Sequence, residues 1–156
     1  MALSATEQQT WRSLVMLSHA LEEALDRQSR RDGGIPHAYY KLLIFLYEAG
    51  DRRLSMSELA ATLRYSSSRL THAVSSLERS GWAQRVRSSD DRRVQYVQLT
   101  DAGAEVVRRV TPGQVAEVRE PLFRNLTPEQ TTALGALARS VVAALEAPLP
   151  QTLQEG

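Results

Sequence analysis

The sequence predicts a mainly helical α+β fold with one small β-hairpin, and three observations predict it. Apolar residues recur at three- and four-residue steps through most of the chain, the period of an amphipathic helix. Capping residues, prolines and glycines punctuate that pattern where helices should start and stop. Only between Trp82 and Leu99 does the pattern shift to short runs rich in β-formers. With 156 residues, 42% of them hydrophobic, the chain has enough apolar matter for one core, and a single domain over residues 1–156 is expected.

Residues 6–31 contain no Gly or Pro and place Trp11, Leu14, Leu17, Leu21 and Leu25 on one stripe, so they read as one long helix. Asp32-Gly33-Gly34 ends it, because glycine tolerates the left-handed C-terminal conformation. Pro36 suits the first position of a second helix, whose buried face is Tyr39, Leu42, Leu43, Leu46 and Tyr47 and which Gly50 closes. Ser55-Met56-Ser57-Glu58 is a capping box opening a short helix that buries Leu59, Ala60 and Leu63. Arg64-Tyr65-Ser66 bridges to another helix, capped by Ser66, with Leu70, Val74 and Leu77 inward and Ser80-Gly81 at its end. Two short helices joined in this way form a helix-turn-helix.

Trp82–Arg87 and Val94–Leu99 then read as two strands around the polar tip Ser88–Arg93, which makes a wing. Thr100 caps the next helix, and Thr111-Pro112-Gly113 and Pro121 are expected to kink or split it. Thr127-Pro128-Glu129-Gln130 opens a last helix with the stripe Leu134, Leu137, Val141 and Leu145, ended by Pro148 and Pro150. The whole is a winged helix-turn-helix lobe, about residues 36–100, between terminal helices at about 6–32 and 101–147.

Composition narrows the chemistry. The chain has no cysteine, which excludes thiol catalysis, disulfides and thiolate zinc sites. His19, His37 and His72 fall at unrelated spacings, and neither a metal nor another cofactor is expected. No apolar run nears the roughly 18 residues of a membrane span, and the Met1-Ala2-Leu3-Ser4 start lacks a signal-peptide layout, so the expected home is the cytoplasm with no membrane partner. No nucleophile–base pairing or phosphate-cradling glycine loop is present, and Ser55 is explained as a cap, so no enzyme is predicted.

Net charge is only +1, but its distribution is uneven. Arginines 64, 69, 79, 85, 87, 92 and 93 face only Glu78, Asp90 and Asp91, a local excess of four positive charges. A basic middle in a mildly acidic frame fits a phosphate-binding face, since arginine gains by releasing counterions condensed on DNA; a solvated arginine-rich surface would look the same.

Residues Ser55 to Thr100 closely resemble the MarR family of winged-helix regulators. The resemblance is carried by Ser57-Glu58-Leu59-Ala60, by Leu63 through Leu77-Glu78-Arg79-Ser80-Gly81-Trp82, and by Asp91-Arg92-Arg93 running into Val97-Gln98-Leu99-Thr100-Asp101-Ala102-Gly103. It implies a transcriptional regulator, most often a repressor, acting as a homodimer whose terminal helices interlock. Such a dimer reads two half-sites of duplex DNA about 34–36 Å apart. The long apolar stripes of the first and last helices agree, because a domain this small cannot bury them alone.

The start of the recognition helix should enter the major groove, which makes Ser66, Ser67, Ser68, Arg69, Thr71 and His72 the contact candidates. Arg69 either grips guanine O6 and N7 in bidentate fashion or meets phosphate. His72 reads a base edge, meets phosphate or simply lies exposed. In the wing, Asp91 and Arg93 match the family's Asp-x-Arg: the arginine resembles one that enters the minor groove, with the aspartate orienting it. Arg87 and Arg92 are candidates for phosphate. The family also implies release by a small aromatic or anionic effector, for which Trp11, His19 and Tyr39 are the bordering residues, though each taken singly reads as core before ligand contact. The rival reading is a winged-helix protein-interaction module without DNA binding. Glycine or acidic residues at 69, 92 and 93 would mark it, and all three are arginine.

Overall fold

Ser4 starts the first helix, its Oγ accepting the Glu7 N–H at 3.3 Å while the Glu7 carboxylate takes the Ser4 N–H at 2.7 Å. From that cap α1 runs Ala5–Gly33 in the computed structural model, which describes residues 2–87 and 94–146. Gly34 stops it at φ +66°, and its N–H returns to Arg30 O at 3.0 Å. Then follow α2 (His37–Glu48), β1 (Arg53–Ser55), α3 (Met56–Leu63), α4 (Ser67–Arg79), β2 (Ala83–Arg87), β3 (Gln95–Leu99) and α5 (Asp101–Val118). A π-helical turn, Arg119–Phe123, and α6 (Pro128–Glu146) complete the described chain. The contacts divide it into two compact units, Met1–Glu117 and Val118–Gly156.

The first unit builds its core where α2, α3, α4 and α5 meet an antiparallel sheet of order β1-β3-β2. Tyr40, Leu42, Leu43, Leu46, Leu59, Leu70, Leu77, Val97 and Val107 are all essentially solvent-free there. Burying a Leu or Val side chain contributes about 1.5–3 kcal/mol, so these residues hold the unit together. Gly103 lets α5 approach β2: a Cβ at that position would collide with the Trp82 carbonyl and the Leu99 side chain. Thr100 Oγ1 accepts the Gly103 N–H at 3.0 Å, the cap expected there.

The α1–α2 joint is polar and buried. Gln28 Nε2 donates to Asp32 Oδ2 at 2.8 Å and to Val110 O at 3.0 Å, tying α1 to α5, while buried Gln28 Oε1 has no hydrogen-bond partner among the described residues. The His37 N–H donates to Asp26 Oδ1 at 2.9 Å, and the His37 ring stacks on Tyr40. The Arg30 guanidinium beside Asp26 holds its carboxyl below the usual range. Burial pushes the His37 imidazole below its ordinary value, and nearby Lys41 adds to the shift.

Three expectations need correction. The sheet has a third strand, β1, paired Arg53↔Gln98, Leu54↔Val97 and Ser55↔Tyr96. Three residues carry no period of their own, so only the pairing with β3 reveals this strand. α5 runs through Pro112 without ending, because Val106, Val107 and Val110 are packed into the core before it and tertiary packing outweighs the proline penalty. Pro121, by contrast, falls in the π-helical turn, where the Arg124 N–H reaches back to Arg119 O at 2.9 Å and the ladder is re-spaced. Third, Tyr40 is buried on α2, its hydroxyl 2.9 Å from Thr111 Oγ1, and was not among the expected buried residues.

The terminal stripes are bare in the single chain. Of the α1 stripe only Leu25 is buried, while Trp11, Leu14 and Leu17 stand 60, 51 and 46% exposed. On α6 Leu137, Val141 and Leu145 are exposed and Leu134 half-buried. The opening of α6 follows its sequence signals, with the Gln130 N–H donating to Thr127 Oγ1 at 3.2 Å and the Thr127 N–H to Gln130 Oε1 at 2.9 Å. Pro148 and Pro150 lie outside the described residues.

Candidate nucleic-acid interface

The Ser55 cap, with its oxygen on the Glu58 N–H and the Glu58 carboxylate on the Ser55 N–H, starts α3. Arg64 closes α3 in the left-handed conformation at φ +52°, which turns the chain sharply toward α4. Ser66 then accepts the Arg69 N–H at 3.3 Å and fixes where α4 begins. Leu70, Ala73, Val74 and Leu77 are buried on one face of α4, so the helix cannot rotate. Ser67, Ser68, Arg69, Thr71 and His72, with Ser66 just before them, are all exposed. The structure thus brings the six recognition-helix candidates to one accessible edge of the lobe.

Two of them are held by neighbours the sequence did not suggest. The Arg69 guanidinium lies over the Tyr65 ring, its carbon 4.0 Å from the ring centroid. The Tyr65 hydroxyl in turn donates to Ala38 O on α2 at 3.2 Å. His72 Nδ1 lies 3.3 Å from the Tyr39 hydroxyl. An aromatic residue four positions before Arg69 was the one available signal for the Tyr65 contact.

The arginines of the basic middle divide by what they touch. Arg85 forms an ion pair with Glu78 and donates to Thr71 O and Ser75 Oγ, both at 3.1 Å, so it clips β2 onto α4. Its charge is spent inside the lobe. Arg69 and Arg87 are exposed, and among the described residues neither forms an ion pair with a carboxylate. Asp91, Arg92 and Arg93 lie outside the described residues.

Within one chain the effector candidates lie apart, Trp11 and His19 on α1 and Tyr39 on α2. Trp11 lines an open surface depression with Leu3, Thr6, Glu7, Thr10 and Leu14, side chains of α1 and its approach. His19 is exposed on α1. Tyr39 is half-buried on α2 and faces the recognition helix through His72. The three histidines occupy three different helices, α1, α2 and α4, and among the described residues no cluster of three or more His, Cys, Asp or Glu is placed to hold a metal ion.

A capped helix-turn-helix backed by a three-stranded sheet defines the winged helix-turn-helix class. Residues 33–94 match the sequence profile of the MarR family. The crystal structure of Sco3205, a MarR family transcriptional regulator from Streptomyces coelicolor in complex with DNA, superposes with a TM-score of 0.91 at 46% identity, covering 96% of this chain and 94% of that one. The regulator PapX of Escherichia coli is 29% identical over 110 residues, 70% of this chain and 66% of PapX. The transcriptional repressor MprA of Escherichia coli is 36% identical over 81 residues, 52% of this chain and 46% of MprA. The chain belongs to the MarR family of transcriptional regulators.

Proposed function

We propose that the chain is a sequence-specific duplex-DNA-binding repressor that works as a homodimer on a pseudo-palindromic operator. The observation that carries this reading is the exposed edge of α4, where Ser67, Ser68, Arg69, Thr71 and His72 stand clear while Leu70, Val74 and Leu77 anchor the helix. An anchored helix with a polar, cationic outer edge is what the roughly 12 Å wide major groove admits. Ser66, Ser67 and Ser68 suit phosphate oxygens, and Arg69, Thr71 and His72 suit base edges. Arg87 and Arg92 meet phosphate, and Arg93, oriented by Asp91, enters the minor groove of the flanking duplex. The DNA-bound state of Sco3205 supports this reading, and MprA, a named repressor, supports repression.

The single domain comprises the lobe at about 36–100 and dimerisation helices at about 6–32 and 101–147. A second copy covers the bare stripes of α1 and α6, since exposed apolar faces of this size mark association surfaces. A small aromatic or anionic effector contacts Trp11, His19 and Tyr39 and weakens the complex. The chain performs no catalysis and works in the cytoplasm, where the chromosome is; among the described residues no helix is long and apolar enough to cross a membrane. Gel shift and footprinting on the DNA upstream of its own coding sequence test the reading. A protected palindrome with binding that weakens steeply in salt is expected, and salt-insensitive or absent binding to every duplex overturns it.

A further inference from the structure

Arginine is a costly reader of bases because its long side chain must be immobilised on binding. Proteins usually immobilise it with a carboxylate, and Arg85 shows the consequence here. Its guanidinium is held by Glu78, Thr71 O and Ser75, and both its charge and its N–H edge are consumed. Arg69 is held in a different way. Its guanidinium carbon lies over the Tyr65 ring, 4.0 Å from the centroid, an attraction between cation and π-face that requires none of the five N–H donors and leaves the charge unneutralised. The donor edge that a bidentate contact with guanine requires therefore stays open.

The ring is itself fixed at both ends. The Tyr65 N–H donates to Ala60 O at 3.0 Å, just after the left-handed Arg64. The hydroxyl donates to Ala38 O on α2 at 3.2 Å, and the ring between them packs against the hydrophobic core. α3, α2 and the core thus fix a platform beneath the side chain that projects from α4.

We propose that Tyr65 is a specificity-determining positioning residue: its anchored ring holds the Arg69 guanidinium flat, with its donor edge presented to one base pair of each half-site. The proposal rests on the reading of α4 as the DNA-reading helix and names the residue that sets the discrimination of Arg69.

The test uses the full-length protein and a duplex selected by the wild type from a random-sequence pool, with a panel of single-base variants of that duplex. Arg69→Ala should lose discrimination at one base pair per half-site. Tyr65→Leu should lose about two- to fivefold in affinity on the selected duplex, with preference relaxed at that same base pair. Binding to unrelated duplex and its salt slope should stay unchanged. Tyr65→Phe keeps the ring and should retain most of the discrimination, and Tyr65→Leu combined with Arg69→Ala should be no worse than Arg69→Ala alone.

A Tyr65→Leu loss that is uniform across the panel, or that adds in full to that of Arg69→Ala, assigns Tyr65 a merely structural role and overturns the proposal. If Arg69→Ala keeps discrimination at every position, or no sequence is selected at all, the reading of the recognition helix fails and the proposal falls with it. If Arg69→Ala loses discrimination and Tyr65→Leu keeps it, only the role of Tyr65 fails. A measurement free of variants is the NMR spectrum of the unbound wild type. The Arg69 δ-methylene and Nε–H signals should be displaced upfield by the Tyr65 ring current, and signals at ordinary arginine positions would overturn the proposal.

Discussion

Leu70 and Leu137 sit on helices that start alike, α4 capped by Ser66 and α6 by Thr127, and both lie on an apolar stripe. Leu70 is 1% exposed and Leu137 is 65% exposed. The recognition helix finishes its amphipathic contract inside the chain, against α2, α3 and the sheet. The last helix, like the first half of α1, does not. Local sequence makes both kinds of helix; what differs is whether the single chain itself covers the stripe. A stripe satisfied within the chain fixes the orientation of α4, and an unsatisfied one leaves an apolar face open to association.

The sharpest way to break this contrast is to charge the bare stripe. Leu14→Asp with Leu17→Asp should move the protein from a species of twice 17.4 kDa to one of 17.4 kDa in light scattering and abolish tight operator binding. The α4 core should remain folded, so helical circular dichroism should fall only partly. A charged variant that stays dimeric would show that α1 is not the association surface.

Next in size, Leu70→Ala should destabilise the lobe by ~2–5 kcal/mol in denaturant titration, because it opens a cavity in a filled core. Leu137→Ala should act through association, lowering the melting temperature mainly in dilute protein. Equal, concentration-independent losses from the two leucines would erase the distinction.

Smaller still is the effect of single charges at the DNA face. Arg93→Ala should reduce the slope of log affinity against log salt by about one unit and weaken A·T-rich and selected sites alike. An unchanged slope would remove the wing from the interface. The smallest effect concerns His37, which is neutral in the folded joint because burial lowers its pKa. The unfolded chain binds that proton near pH 6.5, so the contribution is complete above about that pH and is lost as the pH falls through the lowered folded value. His37→Gln should flatten the stability profile across that window; an unaltered profile would assign the pH dependence elsewhere.

Much of the lobe was legible because helix starts are written in short-range chemistry. Ser55 with Glu58, Ser66 before Arg69, Thr100 before Gly103 and Thr127 with Gln130 all form the expected caps. The outward face of α4 followed from the period of Leu70, Val74 and Leu77. What stayed hidden depends on distant partners. β1 exists only through its pairing with β3, and the continuity of α5 through Pro112 depends on core valines that no local rule weighs against a proline. The same limit applies to the site. Periodicity identified Arg69 and His72 as exposed, but not that Tyr65 and Tyr39 hold them, since those contacts join α4 to the loop before it and to α2. The sequence tally set Arg85 among seven arginines against three carboxylates without pairing them, and the fold reveals its use on Glu78.

Ser55 belongs to two elements at once, the last residue of β1 opposite Tyr96 and the cap of α3. No spacer separates sheet from helix at this point. One residue inserted between Arg53 and Met56 would turn Leu54 to the opposite face of the sheet or strip the cap from α3, and either repair would undo the other. A residue added beyond the Arg87–Gln95 pair leaves every rung closer to the core in place. Length in this lobe is therefore negotiable at the far end of the hairpin and frozen at its root. Insertions and deletions should accumulate between Arg87 and Gln95, and grafts meant to lengthen the β2–β3 connection should be spliced there.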